Sequence, residues 1–296
     1  MASLRNSIHR QQLFHWIGKS IEAEGSPGSS RLTDPQREQY VSWLVNSIKD
    51  GLWMTSPSER ISTPKGSFTQ ELPAVCFTEW SLDRSLPHTR RYGRLGFGFP
   101  KRVILLKGGQ PVSYFKSTGA KQRYAGAMVE LMQFFRSQDG NDPIIRKRLQ
   151  DLKYILSFSR AIREHVDLAP APGARKARVA KAGPTELKRR KATTPRKPKA
   201  IDPFARKFGF PLDLAEEREW RIVFHPDLLT RRIIVPGPGP PRYFVPYKPG
   251  TELFTIALPD NRTVHRVLQD DHLCHELFRE NRPHVTIVSL EDVGTF

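Results

Sequence analysis

Apolar residues recur at helical spacing between residues 33 and 51. They occupy the i, i+3, i+4 and i+7 positions that form one face of a helix: Val41, Leu44, Val45 and Ile48. Thr33 or Asp34 is a suitable N-cap, and Pro35 fits the first turn, where its missing amide donor is not needed. Gly51 is expected to end the helix, because glycine readily adopts the conformations found at helix ends.

Three further segments favour helices. The first covers about residues 120–136. The second covers about 143–164 and opens with Asp142 as N-cap and Pro143 at the first helical position. The third covers about 263–280.

Short runs of branched and aromatic residues predict strands. These runs lie at 12–17, 72–78, 95–99, 111–115, 219–224, 242–246, 252–258 and 285–289. Along 219–224 the side chains alternate, so that Glu219 and Arg221 share one face and Trp220 and Ile222 share the other. A segment rich in Gly, Ser and Pro predicts a loop at 24–31.

Helices and strands are mixed without regular alternation and without an internal repeat, which favours an α+β fold. We predict one core interrupted by an insertion rather than two independent domains. The N-terminal part of the core spans 1–168, a basic insertion rich in Pro and Ala spans 169–202, and the C-terminal part of the same core spans 203–296.

The insertion carries much of the protein's charge. The chain has 48 Lys and Arg residues against 30 Asp and Glu residues, and a net charge of +18. Residues 171–199 alone hold eleven basic residues and one acid, Glu186, with almost no large apolar side chains, so we expect a flexible segment. Its candidate nucleic-acid contacts are Arg175, Lys176, Lys188, Arg189, Arg190, Lys191, Arg196 and Lys197. They would neutralise phosphates without sequence specificity; the alternative is a solvated insertion that aids solubility.

Composition limits the class of protein. Apolar residues make up 38% of the chain, which is too much for a wholly disordered protein. No apolar stretch is long enough for a membrane-spanning helix, and the N-terminus lacks the apolar core of a secretory signal. Two cysteines, Cys76 and Cys274, fit a reducing compartment. The prediction is a soluble, cytoplasmic protein without a membrane partner.

Several kinds of site find little support. His272, Cys274 and His275 do not share one helix face and lack the paired spacing of zinc ligands, so we predict no metal site. Gly96 and Gly98 are too few for a dinucleotide-binding fingerprint and favour tight packing instead. A thiol in an apolar strand, as at Cys76, is usually inert.

The segments 72–101 and 111–114 together carry an ordered set of motifs. A Pro-x-x-Cys-Phe strand is followed by a His, a Tyr-Gly pair, a Gly-x-Gly-Phe strand and a Pro-Val-x-Tyr strand. These positions are Pro73, Cys76, Phe77, His88, Tyr92, Gly93, Gly96, Gly98, Phe99, Pro111, Val112 and Tyr114. Outside them, Phe14-His15-Trp16, a helix running into Asp50-Gly51-Leu52, and Glu217-Arg218-Glu219-Trp220-Arg221 complete the set. In order and spacing the chain resembles the AbiGi family of abortive phage-infection proteins.

That resemblance implies a role in phage defence, with the family usually labelled an antitoxin. The order of its elements also resembles ADP-ribosyltransferase folds, including nucleic-acid-modifying toxins similar to DarT. The second likeness implies a mixed sheet core with flanking helices, NAD as cofactor and a nucleic acid as acceptor.

The ADP-ribosyltransferase likeness implies roles for five residues. Glu219 would stabilise the oxocarbenium-like transition state, and Glu217, two residues earlier on the same strand face, would act as general base. His15 would donate a hydrogen bond to a ribose hydroxyl and Tyr92 would stack on nicotinamide, with His88 as a further ligand contact.

Each role has a structural alternative. Glu219 could belong to an amphipathic edge strand in which Arg221 pairs with a carboxylate and Trp220 lies in the core. His15 could be a structural histidine, and His88 an exposed loop residue.

Three hypotheses therefore stand together. The first is an NAD-dependent ADP-ribosyltransferase that modifies nucleic acid. The second is a non-catalytic antitoxin or regulator that binds nucleic acid or a cognate toxin. The third is a sensor of a nucleotide signal or a phage component.

Overall fold

A computed structural model describes residues 12–23, 31–56, 58–63, 66–116, 120–138, 141–162, 218–238, 242–278 and 285–293. Three predicted features fall outside the described residues. They are the loop at 24–31 except for Arg31, the whole insertion at 169–202 with its eight candidate nucleic-acid contacts, and Glu217. The three-part division of the chain stays a prediction.

Fourteen strands occur in the described residues. In chain order they are β1 (Gln12–Ile17), β2 (Leu52–Trp53), β3 (Ser58–Thr63), β4 (Gly66–Glu71), β5 (Ala74–Thr78), β6 (Leu95–Pro100), β7 (Gln110–Pro111), β8 (Ser113–Lys116), β9 (Ser159–Ile162), β10 (Glu219–Val223), β11 (Val235–Pro236), β12 (Tyr243–Val245), β13 (Thr255–Leu258) and β14 (Thr286–Ser289).

The described helices pack around these strands. They are α1 (Lys19–Ala23), α2 (Asp34–Asp50), α3 (Leu86–Tyr92), α4 (Lys101–Leu106), α5 (Ala120–Ser137), α6 (Pro143–Leu156), α7 (Pro226–Thr230), α8 (Asn261–Leu268) and α9 (Asp271–Leu277), with a 3-10 turn at Leu82–Arg84. The fold is mixed α and β, as predicted. None of these helices is both long and apolar enough to cross a bilayer.

A seven-stranded mixed sheet forms the centre, in the order β14-β13-β6-β1-β5-β10-β7. Its pairs are antiparallel except for β13 with β14, which are parallel. Strands from both ends of the described chain meet here, so the sheet joins β1 and β5 to β10 and β13.

The sheet opens between β1 and β5. β1 pairs with β6 along all six of its residues, and β10 pairs with β5 along five. Between β1 and β5, in contrast, the register holds a single pair, Phe14 opposite Thr78. The two halves of the sheet therefore separate on either side of that pair.

Two glycines of β6 fit the rings of β1 closely. Gly96 lies opposite Trp16 and Gly98 opposite Phe14. A Cβ at position 96 would lie 2.5 Å from a carbon of the Trp16 ring, and one at position 98 would lie 2.8 Å from the ring of Phe14. The Phe14 and Trp16 rings stack with centroids 5.6 Å apart. The predicted role of the glycines in tight packing is confirmed.

Helix α2 has the expected caps. The Thr33 side chain accepts from the Gln36 amide, the Gln36 side chain accepts from the Thr33 amide, and Gly51 ends the helix at φ 96°. The buried face is rotated from the predicted one, however. Its buried members are Arg37, Tyr40 and Leu44, whereas Val41, Val45 and Ile48 are half-buried.

Helices α5 and α6 pack on each other through a small apolar cluster of their own. Its buried members are Val129, Met132, Leu152 and Leu156. Strands β8 and β9, which lie beside these helices in the chain, form a separate parallel pair. This cluster is distinct from the main core under the central sheet.

Two helix predictions were too long. The predicted helix at 143–164 ends at Leu156 and is followed by β9. The Ser157 carbonyl there accepts from the guanidinium of Arg221, a contact from a distant strand. The predicted helix at 263–280 is two helices, because Asp270 leaves the helix and caps the next one through the Leu273 amide.

The strand predicted at 111–115 is divided into β7 and β8 at Val112. The Val112 amide donates to the Glu219 carbonyl, and the two pieces then pair with different neighbours, β7 with β10 and β8 with β9. Among the elements that the prediction missed are β2, the β3–β4 hairpin and α3. Strand β2 has only two residues, and the α3 sequence is too polar to show an apolar stripe.

Candidate functional site

A cavity of about 820 Å³ opens where β1 and β5 separate. Its volume lies within the range of about 300–1,000 Å³ that is usual for small-molecule sites. One wall comes from β1, β5 and β10, another from α2, and a third from α3. Of the predicted site residues, His15, His88, Tyr92 and Glu219 all line it, although they come from three separate elements, β1, α3 and β10.

Glu219 lies at the start of β10 and is 7 % exposed. Its Oε2 accepts from the Tyr114 hydroxyl at 2.9 Å, and its Oε1 accepts from the Arg221 Nε at 2.8 Å. Such charge-assisted bonds offset the cost of burying a carboxylate. The carboxylate is therefore held in one position at the cavity wall.

Arg221 and Trp220 partly support the structural alternative for this strand. Arg221 does pair with a carboxylate, and Trp220 lies in the main core. β10 is not an edge strand, though, because it lies between β5 and β7. Structural pairing and a place in the cavity wall coexist at Glu219.

His15 bridges the opening in the sheet. Its Nδ1–H donates to the Cys76 carbonyl at 2.8 Å, which joins β1 to β5 beside their single paired position. Burial lowers the pKa of His15 to about 4, against a smaller opposing effect of the Cys76 bond. The ring is therefore neutral at physiological pH, with Nδ1 protonated and Nε2 left as an acceptor.

His88 is not the exposed loop residue of the structural alternative. It lies in α3, is 2 % exposed and packs against the rings of Trp80 and Tyr92. Burial, followed by the positive charge of Arg91, lowers the pKa of His88 to about 4, and Glu219 opposes this shift. Its contact with the Thr78 hydroxyl is long, at 3.5 Å. His88 is thus a neutral, buried part of the cavity wall.

Tyr92 ends α3 at the cavity. Its ring lies nearly parallel to that of His88, with centroids 6.1 Å apart, and the Arg91 guanidinium lies 5.2 Å from its centroid. Gly93 follows at φ 109°. A Cβ at this position would lie 2.3 Å from the Ile17 carbonyl oxygen, so a glycine is needed for the chain to pass this close to β1. This close approach holds α3 against the end of β1.

Positive charge predominates among the lining residues. Four cationic side chains, Lys19, Arg91, Arg221 and Arg242, face two carboxylates, Asp50 and Glu219. The two histidines add no charge at neutral pH, because both have a pKa of about 4. A concave site with this balance favours an anionic ligand.

The helical wall was missed by the sequence analysis. Trp43, Asn46, Ser47 and Asp50 follow i, i+3, i+4, i+7 spacing along α2, and all four line the cavity. The sequence feature that indicates this wall is Trp43, a large aromatic residue on the same helix face as the polar residues Asn46, Ser47 and Asp50. Trp53, Arg242 and Phe244, at a further side of the cavity, were missed as well.

Other predictions about the site have different outcomes. Glu217 lies outside the described residues, so its role as general base stays a prediction. Cys76 is half-buried and lines the cavity rather than lying in the core. In the part of the chain that the structure describes, no group of His, Cys, Asp and Glu residues could hold a metal ion.

Comparison with known proteins identifies the family. No curated protein and no solved structure matches the chain. A family model described as "Putative abortive phage resistance protein AbiGi, antitoxin" matches residues 62–235, more than half of the 296 residues. The matched stretch contains three of the four predicted site residues that line the cavity, His88, Tyr92 and Glu219. The chain therefore belongs to the AbiGi family of abortive phage resistance proteins.

Proposed function

We propose that this phage-resistance protein binds NAD in the cavity and transfers ADP-ribose to a nucleic acid. The observation that supports this most directly is the convergence of His15, His88, Tyr92 and Glu219 on one cavity. These residues were selected from the sequence for one chemistry, and they are separated by up to about 200 positions in the chain. The proposal covers both the cofactor and the reaction.

The reaction would place Glu219 at the ribose. The bond between ribose C1′ and the nicotinamide nitrogen would break and nicotinamide would leave with the electron pair. A nucleophile of the acceptor would bond to C1′ as its proton passes to a general base, for which Glu217 is the candidate. Positive charge develops on the sugar during this step, and a fixed carboxylate stabilises it. Tyr114 and Arg221 hold the Glu219 carboxylate in place, so little reorganisation is needed.

The remaining lining groups suit the rest of the ligand. Neutral His15 offers Nε2 as an acceptor for a ribose hydroxyl, since its Nδ1–H is committed to the Cys76 carbonyl. Tyr92 presents an aromatic ring at the cavity wall. The excess of cationic side chains matches the negative charge of a pyrophosphate.

The test is nicotinamide release from NAD by the purified full chain, with and without single-stranded DNA or RNA. We expect release that depends on nucleic acid and falls by roughly 100-fold or more in Glu219→Gln, the scale of losing one electrostatic stabiliser. Glu252→Gln is the matched control, because Glu252 pairs with Lys107 and does not line the cavity. Folding of both variants is checked by circular dichroism. Release unaffected by Glu219→Gln would refute the assignment.

An antitoxin that binds a cognate toxin is the second candidate, and the description of the family favours it. The two candidates differ in a phage-infection assay. A transferase loses protection when Glu219 becomes Gln, whereas a binding protein keeps it. Protection retained by a folded Glu219→Gln variant, together with no nicotinamide release, would refute the transferase and favour a binding protein such as the antitoxin.

A further inference from the structure

An aromatic pair, exposed Trp53 and half-buried Phe244, lies at the cavity on the small sheet β11-β12-β2. Trp53 is 52 % exposed, whereas Leu52 beside it is only 2 % exposed. Phe244 of β12 lies directly opposite Trp53, and Val245 lies opposite Leu52. Directly opposed residues share a face, so one face of this sheet is buried and the other presents Trp53 and Phe244 to the cavity.

Arg242 adds positive charge to the same face. It precedes Phe244 by two positions, which places both on one side of the chain, and its guanidinium lies 5.7 Å from the Trp53 ring centroid. Within the described ranges, no carboxylate is paired with Arg242, and its contact is the Trp53 ring. An exposed tryptophan with an unneutralised guanidinium favours a flat, anionic ligand.

We propose that Trp53 and Arg242 bind a nucleotide of a single-stranded nucleic acid, with the base stacked on Trp53 and the phosphate beside Arg242. Such sites combine aromatic platforms with basic side chains, because every base has a stacking face and every nucleotide a phosphate. A duplex does not fit this arrangement, since its bases are already stacked. The inference rests on the proposed function only where it identifies the bound nucleic acid as the acceptor of ADP-ribose. The binding of the nucleic acid itself does not depend on NAD.

Trp53 and Arg242 are distinct in sequence from the basic insertion at 169–202. The Trp53 platform lies at the cavity that contains Glu219, so it would place an acceptor base within reach of the reacting ribose. The insertion supplies charge but has no aromatic residue for stacking. The two contributions differ in salt dependence: the contacts of the insertion weaken steeply with salt, and stacking does so much less.

The experiment measures the fluorescence anisotropy of a labelled oligonucleotide of about 15 nucleotides with the full chain, in about 0.3 M salt to suppress the charge of the insertion. Trp53→Ala is expected to raise the Kd for the single strand roughly five-fold or more, and Trp53→Phe by much less. Arg242→Ala should raise the Kd and lower the salt slope by about one. Phe134→Ala is the matched control, because Phe134 is 56 % exposed and does not line the cavity; it should bind as wild type does. If Trp53→Ala fails to fold, Trp53→Leu replaces it.

The outcomes distinguish the two proposals. A single-strand Kd unchanged in Trp53→Ala overturns this inference. A raised KM for NAD in that variant with an unchanged oligonucleotide Kd also overturns it and assigns the platform to the NAD adenine. Weakened oligonucleotide binding in Trp53→Ala supports the inference even if the wild type releases no nicotinamide, and in that case only the transferase proposal fails. Preference for a duplex over a single strand would overturn it as well.

Discussion

The Nε of Arg221 lies 2.8 Å from Oε1 of Glu219, two residues earlier on the same strand. The side chains are 3 % and 8 % exposed, so this ion pair is withdrawn from water. It is nevertheless part of the cavity wall, where Glu219 is the proposed stabiliser of the reacting ribose. Substitution of either residue is therefore expected to affect both the stability of the protein and its proposed function.

Arg221→Met is expected to lower the free energy of unfolding by about 3 kcal/mol, because it leaves the Glu219 charge buried without its cation. The measurement is urea denaturation followed by circular dichroism. The double variant Glu219→Gln with Arg221→Met removes both charges and should recover part of the loss. Additive losses in the double variant would show that the pair is not energetically coupled.

Stability is expected to fall as the pH drops from about 7 towards 4. The pKa of His88 is about 4 in the folded protein, below its ordinary value of 6.5, because of burial and then the charge of Arg91. The unfolded chain therefore binds the proton first, so this stability is fully present above pH 6.5 and is lost as the pH falls. The slope is at most about 1.4 kcal/mol per pH unit for one histidine.

His88→Gln tests that assignment, since glutamine does not titrate. Urea midpoints at about pH 7, 6 and 5 should decline less steeply in this variant than in the wild type. His15 contributes in the same direction, so some dependence on pH remains. Parallel slopes in the two proteins would mean that the pKa of His88 does not differ between the folded and unfolded states.

Asp260 combines a helix cap with a buried ion pair, and two substitutions separate them. Its Oδ1 accepts from the amide and hydroxyl of Thr263, and its Oδ2 accepts from Arg37 at 2.8 Å. Burial alone would raise the pKa of Asp260, but the Thr263 and Arg37 contacts together lower it. Asp260→Asn keeps a capping group and loses the charge, whereas Asp260→Ala loses both.

We expect Asp260→Ala to be less stable than Asp260→Asn by about 1 kcal/mol, the usual contribution of an N-cap, with both well below the wild type. Thermal or urea unfolding provides the comparison. Equal stability of the two variants would indicate that the Arg37 pair alone accounts for the effect of Asp260.

Gly96→Ala should destabilise the protein and disturb the cavity. The new Cβ would lie 2.5 Å from the Trp16 ring, which lines the cavity, and relieving such overpacking costs about 1–3 kcal/mol. Gly126→Ala is the contrasting control. It lies within α5 with nothing within 4 Å of its Cβ, so alanine there should stabilise by about 0.5–1 kcal/mol. A neutral Gly96→Ala would contradict the close packing of β6 on β1.

Deletion of residues 171–199 is expected to weaken nucleic-acid binding and reduce its salt dependence, because eleven basic side chains are removed with one acid. The measurement is the Kd for a labelled oligonucleotide over a series of salt concentrations. The same slope before and after deletion would show that the segment does not contact phosphates.

Local chemistry accounts for the elements predicted correctly. β1 was predicted with its observed bounds because six consecutive residues carry a strong aromatic and branched pattern. The limits of α2 follow from Thr33, Pro35 and Gly51, whose effects act within one turn of helix. Likewise, the Asp142 cap at the start of α6 is a contact with the Ile144 amide, two residues away.

Errors occurred where distant residues compete for the backbone. The end of α6 depends on Arg221, which takes the Ser157 carbonyl from a strand 64 positions later. The division between β7 and β8 depends on the bond from the Val112 amide to the Glu219 carbonyl. Neither Arg221 nor Glu219 can be inferred from the residues near Ser157 or Val112. The periodicity of a segment indicates which of its own side chains are buried, but not which distant residue will bond to its backbone.

The sequence by itself determined the family, the mixed α and β composition and four of the cavity residues, because motifs and local propensities are written in neighbouring positions. Only the tertiary structure decided that His88 is buried, that the sheet opens at the Phe14–Thr78 pair, and that α2 and Trp53 complete the cavity. A cavity is made by the absence of pairing between elements distant in the chain. Its shape and charge therefore arise only when those elements pack together.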